Sequence, residues 1–185
     1  FVKAEEQRVP KATSLQRCVQ KICDLANQHE KVVVALSFHT AYIITIASLL
    51  QSLHQNIVTG THESVLIVAG GPHPSGDPDG TLQLGVDCVV AGEGEVTFPA
   101  LLDRFFQDQS FEHLQGVRVI GAESHYHNTG RSAFVDISDF PPFAMRHRRF
   151  CPMEISRGCP YGCWFCQTTF FMGGRMRHRS LESIL

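Results

Sequence analysis

The chain has 185 residues, 43% of them hydrophobic and 18% charged, with a formal net charge of −2. That length suits one ordinary domain or two small ones, and the composition supports a buried core. The near-neutral balance argues against bulk attraction to nucleic acid or to a membrane surface, and no apolar run reaches the roughly 18–20 residues of a membrane span.

The first residue is Phe rather than Met, and residues 1–10, FVKAEEQRVP, lack the apolar stretch of a secretion signal, so a cytoplasmic location is expected. Residues 13–29 carry Leu15, Cys18, Val19, Ile22, Leu25 and Ala26 at helical spacing, with Thr13 or Ser14 as a cap. KVVVALSF (31–38) is a continuous β-branched run, as in a strand covered on both faces. Residues 41–54 pattern as a very apolar helix, and SVLIVAGG (64–71) as a second buried strand ending in two glycines. A third strand is expected over 87–95 and a helix over 96–107, with Pro99 tolerated in its first turn. Buried strands alternating with helices imply a partial doubly wound parallel sheet of flavodoxin or Rossmann type.

After residue 110 the pattern changes. GVRVIG and RSAFVDI flank a polar stretch as a β-hairpin, and DISDFPPFAM is a proline-containing linker. CPMEISRG (151–158) reads as a new strand that delivers a cysteine-bearing loop. The chain ends in HRSLESIL, patterned as a helix start with Ser180 as N-cap, and a piece of a longer protein is expected. The expected organisation is an α/β domain over 1–110, a hairpin and linker over 111–150, and a further domain beginning at 151.

The chemistry concentrates in EISRGCPYGCWFCQTT (154–169), where Cys159, Cys163 and Cys166 are spaced C-x3-C-x2-C. Without a secretion signal, a disulfide framework is not the expectation for the seven cysteines. Cys18 and Cys88 read as small core residues and Cys23 as half-exposed. A structural zinc site uses four ligands, usually as two distant pairs. Cys151 is a poor fourth, because an intervening strand would carry it ~20 Å away at ~3.3 Å per residue. Ferredoxin-type clusters use four thiolates, so three would leave one iron open. A catalytic metal site keeps such a position free.

With Phe165 just before its last cysteine, this stretch resembles the signature of radical S-adenosylmethionine enzymes. The resemblance implies that Cys159, Cys163 and Cys166 hold a 4Fe-4S cluster with Phe165 beside it. It implies further that S-adenosylmethionine chelates the open iron and is cleaved reductively to a 5′-deoxyadenosyl radical. It places the loop after the first strand of a (β/α) barrel that would begin within 151–185. An electron donor of flavodoxin or ferredoxin type, and a small-molecule or RNA substrate, are the implied partners.

Residues 68–102 are similar to the cobalamin-binding-type domain that precedes the barrel in one radical subclass, and GRMRHRS (174–180) resembles that subclass after its cluster loop. The subclass includes methyltransferases and ring-forming enzymes. Ser37 and the pair Gly70-Gly71 match the later elements of such domains and are the implied cobalamin contacts. The D-x-H-x-x-G loop of mutase-type domains is absent from the chain. The later glycine-rich motif for the S-adenosylmethionine amino group is absent as well. Two rivals remain. One is a radical enzyme without cobalamin, like the tRNA methylthiotransferases. The other is a non-enzymatic zinc-binding module.

Other features have simpler readings. His39 and His73 follow strand ends and could face a corrinoid, and His125 and His127 fall in the hairpin tip. GEGE (92–95) lacks the Gly-Lys-Ser/Thr element of a phosphate loop, and Glu95 reads as a helix start favoured by the dipole. Arg157 and Gln167 flank the cysteines, where either could tune a cluster, although a solvated position is the simpler reading. The basic runs RHRR (146–149) and RMRHR (175–179) suit a solvated face, with Arg177 and Arg179 the better candidates for an anionic group.

Overall fold

The computed structural model describes residues 12–57, 65–120, 126–128, 130, 132–143, 148 and 153–184. Cys151, His125, the first eleven residues and most of RHRR lie outside these, as does the start of the strand expected from 151. The chain forms two compact units, residues 1–89 with 118–127, and residues 90–117 with 128–185.

The first unit is built on a sheet of strand order β1-β2-β3-β4-β5. Helix α1 (Ala12–Gln28) buries Val19, Ile22 and Ala26 on one stripe and exposes a Gln20–Asp24 hydrogen bond of 2.9 Å. Strand β1 (Val32–Ser37) pairs in parallel with β2 (Val65–Gly70), Ser37 lying opposite Gly70. Between them a 3-10 turn (Thr40–Tyr42) leads into α2 (Ile43–Ile57), whose Leu50 and Leu53 have no exposed surface. Each such leucine contributes about 1.5–3 kcal/mol of transfer free energy.

Strand β2 meets expectation, with Val65 through Ala69 all buried. Strand β1 does not. Of its residues only Val34 is buried, while Ala35 and Ser37 are exposed, because among the described residues β1 ends the sheet order and has one neighbour instead of two.

Beyond β2 the chain forms two short helices, α3 (Pro72–Gly76) and α4 (Pro78–Gln83). Each begins with proline, whose fixed φ and missing N–H suit that position. Asp77 caps α4 by accepting from Gly80 N at 3.0 Å. Strand β3 (Cys88–Val90) is three residues long and buried throughout, shorter than expected because α5 (Gly94–Phe106) begins within GEGE. Pro99 therefore lies inside α5, not in its first turn.

Strand β4 (Val117–Ile120) neighbours β5 (Tyr126–Asn128). The second strand of the expected hairpin thus falls on its presumed tip, and 132–136 is extended without a ladder. A 3-10 turn follows at Ile137–Asp139.

In the second unit the cysteine segment is framed by β6 (Ser156–Arg157) and β7 (Arg177–His178), which pair antiparallel. A short α6 (Thr168–Met172) lies between them. Of the strand expected over 151–158, the described residues 153–158 form a strand only at Ser156–Arg157, and the start of a parallel barrel is not visible among the described residues. The end of the chain is turn rather than helix, although Ser180 Oγ accepts from Ser183 N at 3.2 Å as a cap would. Among the described residues no helix is long and apolar enough to cross a membrane.

Candidate functional site

In the first unit, the carboxyl ends of β1 and β2 gather Ser37, Gly70 and Gly71. Ser37 is exposed, and its Oγ lies only 2.5 Å from where a Cβ on Gly71 would sit. Gly71 has φ +88° and ψ −166°, a region open essentially to glycine alone. The backbone there is bare and stiffly set, with an exposed hydroxyl beside it. That suits the approach of a large ligand at the end of parallel strands.

His73 is 6% exposed, its N–H donates to Phe38 O at 3.1 Å, and its Nδ1 shares a hydrogen bond of 3.0 Å with Thr40 Oγ1. Its ring lies 5.3 Å from that of Phe38. Its Nε2 is buried and has no partner among the described residues. His39 is exposed.

In the second unit, the cysteine loop is closed at its base. Cys159 N donates to Gly173 O at 3.2 Å, and Thr169 Oγ1 donates to Cys159 O at 3.1 Å and Tyr161 O at 2.6 Å. Gly158 has φ +97° and no room for a Cβ, which would strike Arg175 O. Cys163 and Cys166 line an open recess of about 550 Å³ with Trp164, Phe165 and Phe170. Trp164 is fully exposed and Phe165 91% exposed, although both are large apolar groups.

Cys159 and Cys166 are half-buried and Cys163 is exposed. The Thr168 hydroxyl and N–H both hydrogen-bond the Cys166 sulfur and lower its pKa, which favours thiolate. Among the described residues no three His, Cys, Asp or Glu side chains converge where one metal ion could sit. The loop does carry three cysteine thiols, the donor type of an iron–sulfur cluster.

Cys88 is fully buried, as expected, and burial raises its thiol pKa with Asp87 adding to the effect. Cys18 is only half-buried, not a core residue.

The group that the sequence pattern missed is Glu93. It is 5% exposed and stands at the N-cap of α5, yet its carboxylate does not cap that helix. Its Oε2 accepts from Arg177 Nη1 at 2.9 Å and from Val135 N at 2.8 Å, and Arg157 Nη1 lies 3.3 Å away. Its Oε1 meets Arg177 Nη2. Burial would raise the Glu93 pKa, but these hydrogen bonds and the two guanidinium charges outweigh it and hold the pKa below its ordinary value.

Arg157 also forks onto Glu154, at 2.9 and 2.6 Å, and reaches Glu95 at 2.5 Å. The Glu154 hydrogen bonds are the main reason its pKa rises. Arg157 is therefore not a solvated flank. Nor are Arg177 and Arg179 free cations for an anionic group. Arg177 is held by Glu93 and lies 4.8 Å over the Phe134 ring, and its pKa is raised mainly by the Glu93 hydrogen bond. Arg179 is 8% exposed and donates to the carbonyls of Glu154 and Phe140, at 3.0 and 2.5 Å. Gln167 is exposed, as expected.

The sequence pattern of the B12 binding domain matches residues 9–102. The chain belongs to the B12-binding domain family. The matched segment includes Ser37, Gly70, Gly71 and Glu93, and the cysteine loop lies outside it.

A methyltransferase of Pyrococcus horikoshii, itself uncharacterized, is 28% identical over 141 residues, covering 70% of this chain and 31% of that protein. The cobalamin-dependent radical SAM methyltransferase TokK of Streptomyces tokunonensis is 32% identical over 127 residues, covering 60% of this chain and 19% of that protein. The chain thus spans less than a third of the length of either relative. Among solved structures, the cobalamin-dependent S-adenosylmethionine radical enzyme OxsB, with aqua-cobalamin and S-adenosylmethionine bound, superposes with a TM-score of 0.73. It is 19% identical, and the match covers 94% of this chain and 24% of that one. At that identity the likeness establishes the fold, a Rossmann-like B12-binding domain.

Proposed function

We propose that this B12-binding chain is part of a radical S-adenosylmethionine enzyme that carries out cobalamin-dependent methyl transfer or related carbon–carbon chemistry. The observation that carries the reading is the presence on one chain of a B12-binding domain and a closed three-cysteine loop with a thiolate-favouring donor. Ser37, Gly70 and Gly71 would hold cobalamin at the strand ends. Cys159, Cys163 and Cys166 would each hold one iron of a 4Fe-4S cluster, with Phe165 beside it and the fourth iron left to S-adenosylmethionine. When bound, the cluster supplies the electron that cleaves the sulfonium to a 5′-deoxyadenosyl radical, and cobalamin supplies a methyl carrier.

The chain's own residues prepare that chemistry. Thr168 favours thiolate at Cys166, and Thr169 fixes the turn between Cys159 and Tyr161. Gly158 allows the close crossing at the loop base. A flavodoxin- or ferredoxin-type electron donor is the proposed partner, and a small molecule or RNA the proposed substrate class. A reducing, cytoplasmic compartment is the proposed location.

The test uses the intact protein, reconstituted anaerobically with iron and sulfide. The expected result is broad absorbance near 400 nm that is lost when Cys159, Cys163 and Cys166 are all changed to Ala, together with co-purifying corrinoid. Stoichiometric zinc without iron would replace this reading with the zinc module. Iron without corrinoid would favour the radical enzyme that lacks cobalamin.

A further inference from the structure

We propose that Glu93 is a positioning residue that clamps both ends of the cysteine loop and so sets the presentation of Cys159. The role in cluster binding rests on the reading above, whereas the clamp itself rests on geometry alone. One buried carboxylate faces two arginines that stand at opposite ends of the loop. Arg157 precedes Gly158 and Cys159, and Arg177 follows α6. These two arginines are also directly opposite each other in the β6–β7 ladder.

The clamp extends into the loop. Arg177 donates to Met172 O at 3.0 Å and to Val135 O at 2.6 Å, tying the end of α6 to the same centre. Glu95 and Glu154 hold Arg157 from its other side. The ladder itself is only two residues long on each strand, too short to fix a loop without help. A buried charge-assisted fork is strong and directional. Deleting its carboxylate leaves two cations facing each other across the ladder without their shared anion.

The experiment has two independent arms on the intact protein, comparing wild type with Glu93→Gln and Glu93→Asp. The first needs no metal. In the apo protein, hydrogen exchange is followed at Cys159 N–H, bonded to Gly173 O, and at Arg179 N–H, bonded to Ile155 O. Glu93→Gln is expected to speed both by roughly 10–100-fold, leaving the β2 amides unchanged, and Glu93→Asp to recover part of that protection. Equal exchange in wild type and Glu93→Gln overturns the proposal.

In the second arm, the reconstituted proteins are exposed to an iron chelator, and the reduced cluster is followed by electron paramagnetic resonance. Glu93→Gln should release iron about tenfold faster and show an altered line shape. Unchanged release and an unchanged line shape in a loaded protein also overturn it. A wild type that takes up no iron refutes the cluster reading instead, and the exchange arm alone then decides the clamp. If circular dichroism shows Glu93→Gln unfolded, Arg177→Lys takes its place, since it keeps a cation but lacks the fork.

Discussion

Gly71 offers the sharpest quantitative test at the strand ends. Replacing it with Ala adds one carbon and forbids nothing chemically, so the whole effect is conformational. Two costs can be separated. The backbone at φ +88° and ψ −166° costs a non-glycine residue about 1–3 kcal/mol. The new Cβ would also lie 2.5 Å from Ser37 Oγ and 3.4 Å from Phe38 N. The first contact is relieved by moving an exposed hydroxyl, which adds about 1 kcal/mol. The total is about 2–4 kcal/mol. With a urea m-value of about 2 kcal/mol/M, in the middle of the usual range for small proteins, the midpoint should fall by roughly 1–2 M. Far-UV circular dichroism of the intact protein reads it, because the single tryptophan, Trp164, lies in the other unit. The double variant Ser37→Ala/Gly71→Ala should recover the hydroxyl part, about 1 kcal/mol, and keep the backbone part. Retained corrinoid should fall in both. A Gly71→Ala protein within about 0.5 kcal/mol of wild type would refute the argument. So would a double variant that recovers the entire loss, since the backbone strain would then be illusory.

Three further outcomes are expected. Glu93 has a lowered folded pKa, so between that value and the ordinary carboxylate value of about 4.3 the unfolded chain binds more protons. Its contribution is complete above about pH 5 and is lost as pH falls through the window. Urea midpoints measured from pH 7 to 3 should show an acid limb that Glu93→Gln flattens. In the apo protein at pH 8, iodoacetamide should modify exposed Cys163 within minutes and leave Cys88 untouched, as peptide mapping can show. Early modification of Cys88 would mean that β3 opens readily. His73→Phe removes a buried nitrogen that has no described partner and one hydrogen bond to Thr40. Stability should change by under about 1 kcal/mol, and a loss above about 3 kcal/mol in thermal unfolding would reveal a hidden partner of Nε2.

What was legible in the sequence depended on how local its cause is. SVLIVAGG declares a buried strand because every residue in it is apolar, and β2 is that strand. KVVVALSF looks the same, yet β1 is half-exposed, because coverage depends on neighbours in the sheet and composition does not report them. Proline, glycine and aspartate, residues that favour turns, dominate GPHPSGDPDG. The two helices there do leave a signal, a proline opening each one and Asp77 placed to cap the second. The hairpin is subject to the same limit. RSAFVDI alternates as a strand should, but the ladder forms at Tyr126–Asn128, where pairing and not propensity decides.

The candidate site divides along the same line. Three cysteines within eight residues are visible as spacing. Glu93 is not, since its nearest signal is a GEGE string that opens a helix and its partner Arg177 is 84 residues away. Arg177 and Arg179 look like candidates for an anionic group because a sequence does not show which carboxylate or carbonyl a guanidinium meets.

That pairing has a consequence for any anionic substrate. Arg157 and Arg177 face three carboxylates, Glu93, Glu95 and Glu154, and Arg179 is buried against two carbonyls. Binding an anion at any of them would first mean breaking a partly buried fork, which costs more than an exposed anion contact returns. Arg157, Arg177 and Arg179 are therefore architecture. Glu93 lies within the segment matched by the B12-binding domain, while Arg157 and Arg177 lie outside it. A single carboxylate thus ties the end of the matched domain to the base of the cysteine loop. If that tie matters, loss of Glu93 should weaken cluster retention without touching a cysteine, and replacing Arg177 with lysine should do the same while leaving the net charge unchanged.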